Sequence, residues 1–408
     1  MTSSAPAAST TITHALRQAE ADAVSVTALA QELVRIPSCG GIDDPEPVLA
    51  VIETWFNQHG LPHRRLYADD KTPAAIVIEI SGAHPGPAWV LDACLDTAPI
   101  DDEATWSFPP IAGDIVDNQL RGRGAADSKI AAAMFCHLAV AISRQSRDLA
   151  GTLVVLLDVD EHTGNFSGAK ALLHAIDPST IGGAMIGYPG ADEVIIGGRG
   201  VYRALLHVYG LAGHSGSSKP AAANAATRAA RLAARLEDLP LPSPAAGGFP
   251  LPAKLTVTEI HSGAGFTVVP DHAVVSIDVR LTDTLDDTAA HELISTAVAQ
   301  LDTDYPGPRP TEIECVQSWP PYRLSAEDQP AAALIQAAAT VGFSPRPKVA
   351  GPSNIGNLLA LHSIATTAGF GLPYTGLHGT DEQVDLTTLP AVQAAYHLAT
   401  LTLMHPER

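Results

Sequence analysis

Basic residues are scarce in this 408-residue chain: 24 Lys and Arg stand against 44 Asp and Glu, a formal net charge of -20. A phosphate backbone or an anionic lipid surface needs a positive field, so no nucleic acid and no membrane is expected as partner. The acidic residues form no block and read mainly as solubility, with a weak preference for cationic ligands. Cysteine is sparse too. Cys39, Cys94, Cys136 and Cys315 lie far apart with no CxxC pair, which excludes a zinc knuckle and a dense disulfide framework. Reduced thiols in the cytoplasm are the simple expectation. Residues 1–10 are small and polar, without the cationic start and apolar core of a signal peptide, and are expected to form a disordered tail. No apolar run reads as long enough to span a bilayer.

What is present is ordinary globular material, 46% hydrophobic and 17% charged, enough for two domains or one domain with an insertion. Residues 11–36 and 46–59 carry helical apolar spacing, broken by Pro37 and Gly40-Gly41. Continuous apolar runs at 74–80, 88–92 and 153–158, and shorter ones at 184–186 and 194–196, look like buried parallel strands. Helices fit between them at 128–144 and 167–175. This alternation predicts an α/β fold: a mostly parallel sheet flanked by helices. The texture changes after Gly197-Gly-Arg-Gly200, a hinge-like run. Strands at 202–209, 254–260 and 272–281 and helices at 221–236 and 287–301 predict a small α/β sandwich. Residues 302–310 read as a linker. The first texture then returns, with helices at 327–340, 355–361 and 387–404 and a strand at 364–369. The expected division is a catalytic domain of 11–197 and 307–408, interrupted by a lid of 198–306.

Gly122-Arg-Gly-Ala-Ala-Asp-Ser-Lys129 and Asp160-Glu161-His162 each follow an apolar run and precede a helical one. That puts Asp127, Glu161 and His162 at the carboxyl ends of strands, where open α/β sheets bind their ligands. With a late histidine, His378, they can hold a metal beside a general base.

The ordered set resembles the M20 metallopeptidase family, which includes acetylornithine deacetylase, succinyl-diaminopimelate desuccinylase, aminoacylase and carboxypeptidase G. The resemblance spans nearly the whole chain. It is carried by the 122–129 motif, by Gly210-x-x-Gly213-His214-Ser215, Asn224-Ala225, Val268-Val-Pro-Asp271 and Asp278-Val-Arg280, and by the ending Leu377-His378-Gly-Thr-Asp-Glu382. Such enzymes generally hold two zinc ions bridged by an aspartate. The resemblance implies Asp127 as the bridge, Glu161 as the general base and His378 as the late ligand. A homodimer formed through the lid follows from the same resemblance.

Several positions depart from the family. Its His-x-Asp reads Cys94-Leu95-Asp96, the second Glu of its Glu-Glu pair is His162, and its Gly-Glu-Pro turn reads Gly187-Tyr188-Pro189. Asp96, which would orient the missing histidine, is left with no imidazole to hold. The first metal position keeps only Cys94, Asp127 and Tyr188, and is expected to be empty. The second keeps Asp127, His162 and His378, two imidazoles and a carboxylate, an established catalytic zinc set. One zinc per chain, or none, is the resulting expectation, with Cys94 as a further candidate thiolate ligand.

The leading reading is a metallohydrolase cleaving an amide bond in a small N-acyl amino acid or dipeptide-like molecule. Glu161 would move the proton, and His214 would donate to the oxyanion. Arg280 would clamp a substrate carboxylate or, equally, pair with a lid Asp. Thr267 and Asn354, where the family often has Asn and Asp, are the other substrate-binding candidates. A metal-free enzyme using Glu161, His162 and His378 for acyl transfer, elimination, isomerisation or condensation stands as the alternative, and a non-catalytic binding protein as a third. Retention of Glu161 speaks against the third.

Overall fold

A computed structural model describes residues 5–218, 223–243, 245 and 248–405. The chain forms two compact units. The first comprises Met1–Gly197, Arg323–Lys348 and Asn354–Arg408, the second Gly198–Tyr322 and Val349–Ser353.

In the first unit the main sheet runs in the order Arg64–Tyr67, Pro73–Ser81, Ala150–Asp158, His84–Cys94, Ile181–Ile186, Thr366–Ala368, Glu193–Gly198, with short segments completing the last edge. His84–Cys94 pairs in parallel with both neighbours, and Thr366–Ala368 is parallel to Ile181–Ile186. Pro73–Ser81 runs antiparallel to Ala150–Asp158, Arg64–Tyr67 antiparallel to Pro73–Ser81, and Thr366–Ala368 antiparallel to Glu193–Gly198. The sheet is therefore mixed, with a parallel centre, rather than mostly parallel. A continuous apolar run reports burial on both faces, not the direction of the neighbouring strand.

Both faces are covered. Leu91 and Ala93 point into the large core with Leu29, Leu33, Phe135 and Tyr396. Val90 and Asp92 face Leu172, Ile355 and Leu359 of the helices Ser167–Ala175 and Ile355–Ala360. The opening helix spans Ala5–Val34, so residues 5–10 are helical rather than a disordered tail; 1–4 lie outside the described residues. Against expectation, Ala125–Asp148 is long and apolar enough to cross a membrane, but 94% of its most apolar window is buried inside the fold. It serves as the central core helix.

A second, smaller sheet was not legible in the sequence. It orders Tyr374–Thr375, Gln383–Asp385, Gln119–Arg121 and Asp114–Val116. Pairing of Gln383 with Arg121 and Val384 with Leu120 fastens the His378 loop to the 122–129 loop.

The second unit is a four-stranded antiparallel sheet in the order Lys254–Ser262, His272–Leu281, Gly200–Tyr209, Glu312–Trp319. Tyr202, Ala204, Leu206 and Val208 alternate inward against Leu232 and Ile294 of the helices Ala225–Glu237 and Asp287–Asp304. Asn224 and Asp286 cap these helices through their side chains. The fourth strand extends this unit past residue 306 to Tyr322. The sequence-based division had placed 307 onward in the catalytic domain. Pairing of Glu312–Trp319 with Gly200–Tyr209 is the physical reason for the difference.

Candidate active site

The ends of three adjacent strands deliver the first side chains. Cys94 closes the strand His84–Cys94, Asp158 closes Ala150–Asp158 just ahead of Glu161 and His162, and Tyr188 follows Ile181–Ile186. Asp96 accepts the backbone N–H groups of Glu161 at 3.1 Å and His162 at 2.9 Å, tying one strand end to the next. Gly40 lies so close that an added Cβ would stand 2.6 Å from Asp96 Oδ2. Only glycine allows that approach.

Asp127 is set by the turn before the central helix. Gly124 there has φ +81°, and an added Cβ would meet Thr97 at 2.5 Å. The Asp127–Ser128 peptide is cis. Glu382, 1% exposed, accepts from the N–H groups of Ala126 at 3.0 Å and Asp127 at 3.2 Å, and from the buried Arg123 guanidinium at 2.7 Å. Lys129, also buried, donates to the carbonyls of Leu33 and Ile36, both at 2.9 Å, where the opening helix ends. An ammonium suits a helix C-terminus, and burial holds its pKa down at about 8.

These elements bring Cys94, Asp96, Asp127, Glu161, His162, Tyr188 and His378 together. His378 Nε2 lies 3.0 Å from Asp127 Oδ2, in a loop where His378 itself has φ +56°. Cys94 Sγ is 3.3 Å from Ser128 Oγ and 3.9 Å from Asp127 Oδ1. His162 Nδ1 is 3.5 Å from Asp96 Oδ2 and 3.6 Å from Glu161 Oε2; its Nε2 is 3.6 Å from Asp127 Oδ2. Asp96 thus faces an imidazole after all, from residue 162 rather than 94. The Tyr188 hydroxyl donates to Glu161 Oε1 instead of turning toward Cys94 and Asp127.

Burial pushes the Glu161 carboxyl up to about 7, with Asp127 adding to the rise and His162 and Tyr188 opposing it. Burial would also raise Asp127, but the imidazoles of His162 and His378 pull it well below the usual carboxylate range. Burial lowers the His162 imidazole, and the acidic groups around it more than reverse that. The Cys94 thiol is raised by burial.

The donor set can be tested for an ion directly. Both ring nitrogens of His162 are buried and make no hydrogen bond. Their 3.5 and 3.6 Å separations from Asp96 and Asp127 are too long for one. Two ligands at zinc bond lengths on a tetrahedral ion stand roughly 3.3–3.5 Å apart. Asp127, His162 and His378 offer ligand atoms all within 4.8 Å of one another, as do Cys94, Asp96 and His162. The residues fit a metal.

The remaining expected residues fall elsewhere. His214 sits on the short ribbon of Gly213–His214 and Val268–Val269 in the second unit, and Thr267 directly precedes its second strand; Ser215 N–H donates to the Thr267 carbonyl at 2.9 Å. Arg280 pairs with Asp278 at 2.8 Å, as the lid ion-pair reading expects. Asn354, expected to bind substrate, is buried and caps the helix Ile355–Ala360: its Oδ1 accepts from Gly356 N–H at 2.8 Å. Sequence reasoning gave no role to Glu382, though it closes the His378 motif. Nor did it place Tyr188 on Glu161.

Residues 90–402 match the model of peptidase family M20/M25/M40. The chain belongs to that family, and so to the amidohydrolase and peptidase enzymes. It is 30% identical over 266 residues to a succinyl-diaminopimelate desuccinylase of Parvibaculum lavamentivorans, covering 62% of this chain and 65% of that protein. A desuccinylase of the same name from Maricaulis maris is 26% identical over 392 residues, 90% of this chain and 93% of the other. The fold is similar to that of the dipeptidase Dug1p from Saccharomyces cerevisiae, with TM-score 0.76, 12% identity and coverage of 97% and 99%. It is also similar to Bacillus subtilis YXEP, described as a dinuclear metal-binding peptidase, with TM-score 0.68, 16% identity and coverage of 94% and 99%.

Proposed function

We propose that the chain hydrolyses an amide bond in a small N-acyl amino acid or dipeptide-like substrate, with Glu161 as general base and one zinc ion held by Asp127, His162 and His378. The observation that carries this reading is His162. Its two buried, unbonded nitrogens lie among carboxylates, beside a Glu whose pKa stands at about 7. Desuccinylases and dipeptidases among the similar proteins support the substrate class. A zinc ion in that set supplies Lewis-acid polarisation of a carbonyl and acidifies water.

The chain's own groups account for the rest. A base with pKa near the working pH is best placed to take a proton from attacking water and return it to the leaving amine. The Tyr188 hydroxyl fixes the Glu161 carboxylate through Oε1. His214 Nδ1 accepts from Gly216 N–H at 3.0 Å, so the neutral ring carries its proton on Nε2, as an oxyanion donor requires. The reading includes a cytoplasmic location and a homodimer through the second unit. Its edge strands Lys254–Ser262 and Glu312–Trp319 expose Ile260 and Val316, and unpaired strand edges invite a second copy.

The test is metal analysis together with a screen of N-acyl amino acids and dipeptides. Bound zinc is expected, with activity lost on chelation and restored by zinc. Glu161→Gln is expected to lower kcat by roughly 10²–10⁴-fold while keeping the metal. Full activity in the chelated chain would instead favour the metal-independent alternative.

A further inference from the structure

The second unit holds a pair of histidines with no part in the reading above. Val208 and Ala273 point inward to the helices, so their chain neighbours His207 and His272 lie on the opposite, outward face of the sheet. His207 pairs with Val274 and His272 with Tyr209, which makes the two imidazoles diagonal neighbours on adjacent strands. His207 Nδ1 stands 3.3 Å from His272 Nε2, with the rings within 4° of parallel. We propose that these two nitrogens chelate one divalent ion of the imidazole-binding kind, such as zinc, with water filling its remaining positions.

Three observations support the site. First, two nitrogens at zinc bond lengths on a tetrahedral ion stand roughly 3.3–3.4 Å apart, and the observed 3.3 Å is long for a hydrogen bond from a ring N–H. Second, Glu314 Oε2 lies 3.0 Å from His207 Nε2. A carboxylate there holds the ring proton on Nε2 and leaves the Nδ1 lone pair facing His272. Metal-binding imidazoles are commonly backed in this way. Third, the rings are held in place before any ion arrives. Tyr209 stacks on His272 with centroids 5.3 Å apart, its hydroxyl donates to Glu312 at 2.8 Å, and the Arg309 guanidinium lies 3.4 Å over its ring. Ligands already in position lose little freedom on binding.

Both donors are imidazoles, which suit zinc, nickel or copper and not magnesium or calcium. A neutral His272 frees Nε2 by carrying its proton on Nδ1, so binding requires no net proton release. The ion joins His272–Leu281 to Gly200–Tyr209 and, through Glu314, to Glu312–Trp319. All of these residues lie within Gly198–Tyr322, and none belongs to the Asp127, His162 and His378 set.

The test is equilibrium dialysis of the full-length chain against buffered zinc, with bound ions counted per chain. Wild type is expected to hold one ion more than His207→Gln and one more than His272→Gln. Both variants should keep whatever hydrolytic activity wild type shows. Glu314→Gln should weaken the extra ion by about 10–100-fold. His261→Gln, on the same face but across Val274 from His207, should bind as wild type does. The difference between wild type and variant is the readout, so it does not depend on whether the Asp127 set is filled. It should persist in a His378→Ala background. Circular dichroism of each zinc-free variant separates ligand loss from misfolding, and either histidine variant decides the matter if the other fails to fold.

Equal ion counts in wild type and a folded His207→Gln or His272→Gln overturn the site. Loss of the ion in His261→Gln as well overturns the ligand pair, and disappearance of the difference in His378→Ala assigns the ion to the Asp127 set instead. Unchanged affinity in Glu314→Gln overturns the part given to that carboxylate.

Discussion

Tyr188 stands where the family resemblance led us to expect a carboxylate, and its hydroxyl donates to Glu161. A hydrogen bond to the ionised form favours ionisation, so Tyr188 works against the burial that raises Glu161 to about 7. The base must be ionised to act, so the acidic limb of kcat/KM should fall at about pH 7, or lower once the proposed zinc is held at His162. Tyr188→Phe removes the opposing bond and should shift that limb to higher pH. A limb that stays in place would mean the phenol does not govern the base. At this scale the sequence was informative about identity and poor about pairing. Asp127, Glu161, His162 and His378 could be named from motif order, and the structure brings them together. That Asp96 faces His162, and Tyr188 faces Glu161, depends on side-chain directions at three neighbouring strand ends, which no linear spacing encodes.

Elements rather than residues hold the Asp127 turn in place. Glu382 closes it by accepting from two backbone N–H groups and from Arg123, all buried. Removing one partner of a buried ion pair typically costs about 3–5 kcal/mol. Glu382→Ala should lower unfolding stability by that order in urea titration, and weaken metal uptake as the turn loosens; an unchanged midpoint would contradict it. A pH dependence belongs to the last helix, Leu389–Leu403. There burial, with His14 adding to it, lowers the His397 imidazole to about 4. The unfolded ring takes its proton near 6.5 and the folded ring does not until about 4. The unfolded state therefore binds more protons between them, and stability is lost as pH falls through that window, by up to about 3 kcal/mol. His397→Gln should flatten the fall in stability between pH 7 and 5. Equal slopes in variant and wild type would rule out His397 as the cause.

For the whole molecule, legibility followed the length and burial of each element. Long apolar runs such as 153–158 lie within real central strands, here Ala150–Asp158. Glu312–Trp319 lies just behind Pro308 and Pro310, stays half-exposed and keeps no sustained alternation, so it is not picked out as a strand in the sequence and the second unit comes out one strand short. Strands of two or three residues carry no period at all, which hid the small sheet that joins Gln383–Asp385 to Gln119–Arg121. Direction was illegible for the same run that was otherwise clearest: Pro73–Ser81 is buried like a parallel strand yet runs antiparallel. The dimer inferred from the edges of the second unit is tested by light scattering on a sizing column. A mass of twice 42.3 kDa is expected, reverting toward one chain when Ile260→Lys places a charge on the exposed edge. A single-chain mass for the wild type would end that part of the reading.

That small sheet also sets a timetable for biosynthesis. Its strands join stretches of chain that carry Asp127 and His378, residues 251 positions apart. A ribosome adding about 5–20 residues per second delivers the histidine roughly 10–50 s after the aspartate. Until then the nascent polypeptide lacks both Glu382 and the late imidazole, so the ligand set proposed for zinc is complete only when translation is far advanced.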